Sequence, residues 1–189
     1  MKLELRPELL QHPNIPKPLH GISPRTIKGK DWWDMTRQVA YASTNYHCLA
    51  CGVHKSKAKY HKWLEAHEDY DMNKETGEVN IKQIVPLCHS CHNFIHSGRL
   101  WMVNRETNPS KIADIIKHGL DILQDNNLPA QIVSIHLAVK FNVEHSCKPM
   151  AEYEEDSADW DQWHLVLEGE KYYSKFKDIN QWHKHYANY

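Results

Sequence analysis

Residues 84–96 read IVPLCHSCHNFIH: an apolar stretch suited to the end of a strand, a Cys88-His-Ser-Cys91 turn, and histidines at 92 and 96. A tight Cys-x2-Cys turn presents two thiolates to one tetrahedral cation, and a second such pair, Cys48-Leu-Ala-Cys51, lies upstream. Two pairs can clamp the chain between them without a large core. In that chain WLEAHEDY (63–70) reads as a strand presenting His67, DMNKETGEVN (71–80) as a turn around Gly77, and IKQIVPL (81–87) as a returning strand. A helix is expected from Cys88 to about Trp101. Strand, turn, strand and helix make a small ββα unit stapled by zinc at Cys48, Cys51, Cys88 and Cys91. Positions i and i+4 share a helix face, so His92 and His96 can meet one ion.

The flanks are read by the same rules. Residues 12–24, HPNIPKPLHGISP, carry Pro13, Pro16, Pro18 and Pro24, which predicts an extended arm on the surface instead of a helix. Trp32, Met35, Val39 and Ala42 recur at the spacing of one helical face, which should pack on the knuckle unit. SKIADIIKHGLDIL (110–123) and QIVSIHLAVKF (131–141) predict a helical pair. WHLVLEGEKYYSKF (163–176), with Gly169 at its centre, predicts a β-hairpin followed by a helix containing Trp182. The expected class is α+β, divided as an N-terminal arm and helix (1–45), a knuckle core (46–105) and a C-terminal helical and hairpin region (106–189).

With 189 residues, 41% of them apolar, the chain can form one ordinary domain with an appendage or two small ones. No run approaches the roughly 18 apolar residues a membrane span requires. The leucines of MKLELRPELLQ are broken up by charge, which predicts no signal peptide and an intracellular protein. Five cysteines is an odd number, and in a reducing compartment the knuckle pairs favour metal over the alternatives, disulfides or a buried apolar cluster. Cys147 is left as a small apolar residue.

The net charge of −1 hides a division. Residues 1–64 hold eleven Lys or Arg against four Asp or Glu, whereas residues 112–189 hold seven against thirteen. Lys55, Lys57, Lys59 and Lys62 could neutralise phosphates near the knuckles or merely solvate a helix face. Glu152, Glu154, Glu155, Asp156, Asp159 and Asp161 read as a solvated linker; the sharper reading is a contact with a basic partner protein, or a limit on nonspecific DNA affinity. Trp32, Trp33 and Trp63 could stack on bases or belong to a core, and His183 and His185 suit an exposed helix end better than a metal. There is no internal repeat, Gly-rich phosphate loop or Ser-His-Asp pattern.

LEAHEDYD followed by IVPLCHSCHNFIH resembles the zinc-knuckle HNH endonucleases of bacteria and phages, over residues 46–100. The resemblance implies a ββα-metal core, DNA as the partner, a cytoplasmic setting in a bacterial or phage-infected cell, and phosphodiester hydrolysis with one divalent ion (Mg2+, Mn2+, Ni2+ or Zn2+). It makes His67 the general base, a role that suits an imidazole with a near-neutral pKa. His92 matches the last histidine of the motif and His96 an additional helix ligand. An ion held by them would bind the scissile phosphate and assist the leaving 3′ oxygen. Gln83 stands where the family has an asparagine that orients the base loop, and Ala66 where it has an Asp or His ligand. Glu68, Asp69 or Asp71 could supply the missing carboxylate, although Glu68 should point to the opposite strand face from His67. The other reading is a catalytically weakened zinc-knuckle module, derived from such a nuclease, that binds DNA or protein.

Overall fold

Asn73 Oδ1 accepts hydrogen bonds from the backbone N–H groups of Glu75 and Thr76, both at 3.0 Å, which starts the turn that Gly77 completes at φ +70°. A Cβ at Gly77 would sit 2.8 Å from the Gln162 backbone, so the position demands glycine twice over. This turn joins strand β1 (Glu65–Asn73) to β2 (Glu78–Leu87). Strand β3 (His164–Leu167) runs parallel to β2, with Val79 opposite Leu165, and turns through Glu168 and Gly169, both at positive φ, into antiparallel β4 (Glu170–Tyr173). The sheet order is β1-β2-β3-β4.

The computed structural model describes residues 3–151 and 158–187, which form a mixed α+β structure of seven α-helices and this one sheet. The chain divides into two compact units, each assembled from three segments: Met1–Asn14, Ala40–His67 and Val85–Tyr153 in the first, and Ile15–Val39, Glu68–Ile84 and Glu154–Tyr189 in the second.

In the first unit, α5 (Pro109–Asp125) begins where Asn108 Oδ1 accepts from the Lys111 N–H at 3.1 Å, with Pro109 at its first position. Its Ile112, Ile115, Ile116, Leu120 and Leu123 follow the 3.6-residue period and are all buried, each worth about 1.5–3 kcal/mol relative to exposure. Helix α6 (Ile132–Lys140) adds Leu137 and Ala138 to this core, and the 3-10 turn Pro7–Gln11 adds Leu9 and Leu10. Helix α3 (His89–Ile95) lies so close to α5 that the Phe94 ring fills the space where a side chain on Gly119 would be. The second unit is built around Leu19, Tyr70, Val79, Trp163 and Leu165. Its last helix, α7 (Ile179–Tyr186), is capped by Asp178, and Trp182 Nε1 donates to His20 Nδ1 at 3.2 Å.

The helical pair, the hairpin and the Trp182 helix thus form as the sequence predicts, and three expectations change. The arm is not simply extended and superficial. Lys17–Leu19 makes a 3-10 turn that buries Pro18 and Leu19, and α1 (Pro24–Lys28) starts from a Ser23–Thr26 capping box with Pro24 at its first position. Helix α2 (Lys30–Ser43) forms, but most of its apolar stripe stays in solvent: Trp32 is half-buried, whereas Met35 is 64% and Val39 65% exposed, and Ala42 is exposed too. Its buried residues are Ala40 and Tyr41 in the last turn, of which Tyr41 joins the core of the first unit. The helix after Cys88 is two helices. His96, at φ −89° and ψ 42°, ends α3 and begins α4 (Ser97–Asn104). Of the acidic cluster, Glu152, Glu154, Glu155 and Asp156 lie outside the described residues. Among the described residues no helix is long and apolar enough to cross a membrane.

Candidate metal centres

The first knuckle is shaped by two backbone hydrogen bonds, Cys48 N–H to Val53 O and Gly52 N–H to Cys48 O, both 2.9 Å, with Gly52 at φ +75°. The second opens α3, where Cys88 is the N-cap and Cys91 lies in the first turn. Unpaired N–H groups at a helix start favour negative charge, which suits thiolates there. Leu49 N–H donates to Pro86 O at 2.9 Å and ties the two knuckles together. All four thiols are free, and Cys51 Sγ lies 3.8 Å from Cys88 Sγ, too far for a disulfide. A tetrahedral ion with Zn–S bonds of about 2.3 Å sets its sulfurs about 3.8 Å apart. The four cysteines therefore lie close together in a geometry that can hold a metal such as zinc.

The thiols' acidity fits the same conclusion. Hydrogen bonds from Cys51, Cys88 and Cys91 hold the Cys48 thiol well below its ordinary range, whereas proton sharing with Cys48 and Cys51 pushes Cys88 and Cys91 up. Crowding four thiols permits little ionisation until a dication balances the charge. His118 Nε2, from α5, lies 3.4 Å from Cys91 Sγ and can donate to that thiolate.

A second group stands beside the first. His67 from β1, His92 from α3 and His96 from the α3–α4 junction bring donor nitrogens within 4.8 Å of one another. His67 is 2% exposed. Its Nε2 is 3.3 Å from His12 Nδ1, and its buried Nδ1 has no hydrogen-bond partner among the described residues. Burial, followed by the charges of His92, His96 and His12, holds its pKa well below the ordinary histidine value. Burial, followed by His92 and Arg99, pushes His96 down to about 4. Both rings are therefore neutral near pH 7 and keep lone pairs to offer. Such an imidazole set suits zinc, nickel, iron or copper better than magnesium.

Glu65 completes this region. It lies two residues before His67 on β1, hence on the same strand face. Its Oε2 is 2.7 Å from His92 Nδ1 and its Oε1 is 2.5 Å from His89 Nδ1. Burial alone would raise the Glu65 carboxyl, but hydrogen bonds from His92 and His89 hold it down to about 2. The ionised carboxylate thus pairs with the His92 and His89 rings at once.

The structure thus brings His67, His92 and His96 together, and the nearby carboxylate is Glu65 and not Glu68, Asp69 or Asp71. Asp69 accepts from the Gln83 amide at 3.0 Å, and Asp71 pairs with Lys82 at 2.7 Å. His183 and His185 pack instead on Trp182 and Phe176. The basic segment is partly committed as well, since Lys59 pairs with Asp114 at 2.7 Å and Lys55 lies over the Tyr46 ring.

Sequence reasoning missed His12, His118 and Glu65. His12 reaches His67 because the buried Gln131 side chain donates to the Gln11 and His12 carbonyls, while Gln11 Nε2 donates to Pro129 O at 2.8 Å. Nothing local in the arm announces that tether. Glu65 was legible in principle, because period-2 alternation places it beside His67. No family model, curated protein or solved structure matches the chain.

Proposed function

We propose that the protein is a metal-dependent, HNH-type endonuclease or nickase that hydrolyses DNA phosphodiester bonds, with a divalent ion at His67, His92 and His96. The observation that carries this reading is the convergence of three histidines, from the strand and helix that follow the two knuckles, around the orphaned Nδ1 of a buried imidazole. In this reading His67 is a ligand and not the base. A ring 2% exposed has little access to an attacking water, and as a ligand it fills the place Ala66 leaves empty. Glu65 pairs with His92, and His12 lies against Nε2 of the His67 ring. An ion bound there would polarise the scissile phosphate and offset its developing charge. The Cys48, Cys51, Cys88 and Cys91 site, in the same reading, holds structural zinc and fixes the start of α3, hence His92.

Supercoiled plasmid incubated with purified protein and Mg2+, Mn2+, Ni2+ or Zn2+ tests the proposal. Relaxed circles should form, and chelator or His92→Ala should abolish them. A plasmid that stays supercoiled with every ion while its migration is retarded would overturn the nuclease reading in favour of a DNA-binding module.

A further inference from the structure

We infer that His61, Glu65 and His89 form a second divalent-ion site, joined to the histidine site through the two oxygens of Glu65. The donor atoms of these three residues lie within 4.8 Å of one another. Two imidazoles and one carboxylate are a set that zinc, manganese and iron accept while leaving positions open for an outside ligand. Glu65 is the hinge of the inference, because its Oε1 reaches His89 and its Oε2 reaches His92. One carboxylate therefore touches a histidine from each group.

The third donor comes from the segment that leads into β1. His61 is stacked on Trp63 at 4.2 Å with 15° between the rings, and its edge meets His89 at 4.3 Å. The preceding Tyr60 sits at φ +71°, a strained backbone conformation for an aromatic residue. That strained residue is held in place, since the Tyr60 hydroxyl donates to Asp114 at 3.0 Å and Lys59 pairs with the same carboxylate at 2.7 Å. Asp114, on α5, thus clamps the loop that aims His61 at Glu65 and His89.

Glu65 Oε1 and His89 Nδ1 already lie 2.5 Å apart. His61 is half-buried and Trp63 is 56% exposed, so the open positions are accessible to a ligand. An ion with open positions beside the histidine site could take an oxygen of a phosphodiester held there. The ligand class, a phosphodiester, rests on the proposed nuclease reading; the ion site itself does not.

Metal content after equilibration of the full chain with MnCl2 or ZnCl2 tests the inference, with His61→Ala and His61→Gln as variants at a half-buried position. The parent should bind three zinc ions per chain and each variant two, with unchanged circular dichroism. Loaded with zinc at the cysteines and manganese elsewhere, the parent should retain two Mn2+ per chain and each variant one. A parent that binds only two zinc ions, or variants that match it in ion count, would overturn the second site. Three ions without plasmid nicking would overturn the nuclease reading alone.

Discussion

Substituting Gly119→Ala sets two effects of opposite sign against each other. A Cβ at Gly119 would lie 2.1, 2.3 and 2.5 Å from Cδ2, Cγ and Cε2 of Phe94. Carbon atoms pack at about 3.5–4.0 Å, so the ring would have to retreat by about 1.4 Å or more. Phe94 is 1% exposed, and its helix also carries Cys91 and His92. Overpacking of this kind costs about 1–3 kcal/mol, and a clash of this depth belongs at the upper end. Replacing glycine by alanine inside a helix returns about 1 kcal/mol. The expected net is a destabilisation of about 2 kcal/mol, or about 1 M in the urea midpoint for a slope near 2 kcal/mol/M. Urea unfolding followed by circular dichroism measures it. Gly98→Ala, on α4 with nothing within 4 Å of its Cβ, is the control and should be neutral or stabilising. A Gly119→Ala midpoint at or above the parent's would refute the close α3–α5 approach that positions His92.

Graded chelation should strip the histidine-bound ion first with helicity intact, and unfold the knuckle unit only when zinc leaves the cysteines; a single coupled loss would contradict separate centres. In the metal-free protein, His67 and His96 have folded pKa values below the ordinary 6.5. The unfolded chain then binds more protons, so their stabilisation is complete above pH 6.5 and is lost as pH falls, for His96 down to about 4. That shift corresponds to about 3 kcal/mol, so urea midpoints should fall steeply between about pH 6.5 and 4 and less so in His96→Gln; a flat profile would count against burial of these rings. Gln131→Ala should release the arm and expose the bonds around His12 to proteolysis, whereas undiminished protection would mean the arm is held otherwise. His118→Ala should loosen zinc by about 10–100-fold in chelator competition, and an unchanged affinity would remove His118 from the thiolate's support.

What the sequence made legible were features set by local chemistry. The knuckle pairs, the Gly77 turn, the i,i+4 placement of His92 and His96, and the Glu168–Gly169 hairpin all follow from spacing and backbone rules that need no distant partner. What it hid depends on such partners. His12 reaches His67 through Gln131, 119 residues away, and His118 meets Cys91 only because α5 packs on α3. Periodicity showed that α2 has an apolar stripe but not whether anything lies opposite it, and Met35 and Val39 stay exposed. The break at His96 is marked only by the Ser97–Gly98 pair that follows it, which periodicity alone passes over. Both compact units draw on three separate segments, a division that arises from packing and leaves no linker in the composition.

The most direct test of the histidine centre is anomalous X-ray diffraction at the zinc edge from crystals equilibrated with zinc. One peak is expected among Cys48, Cys51, Cys88 and Cys91, and another within coordination distance of His67, His92 and His96. A map with the cysteine peak alone, and the three imidazoles turned away from one another, would contradict it.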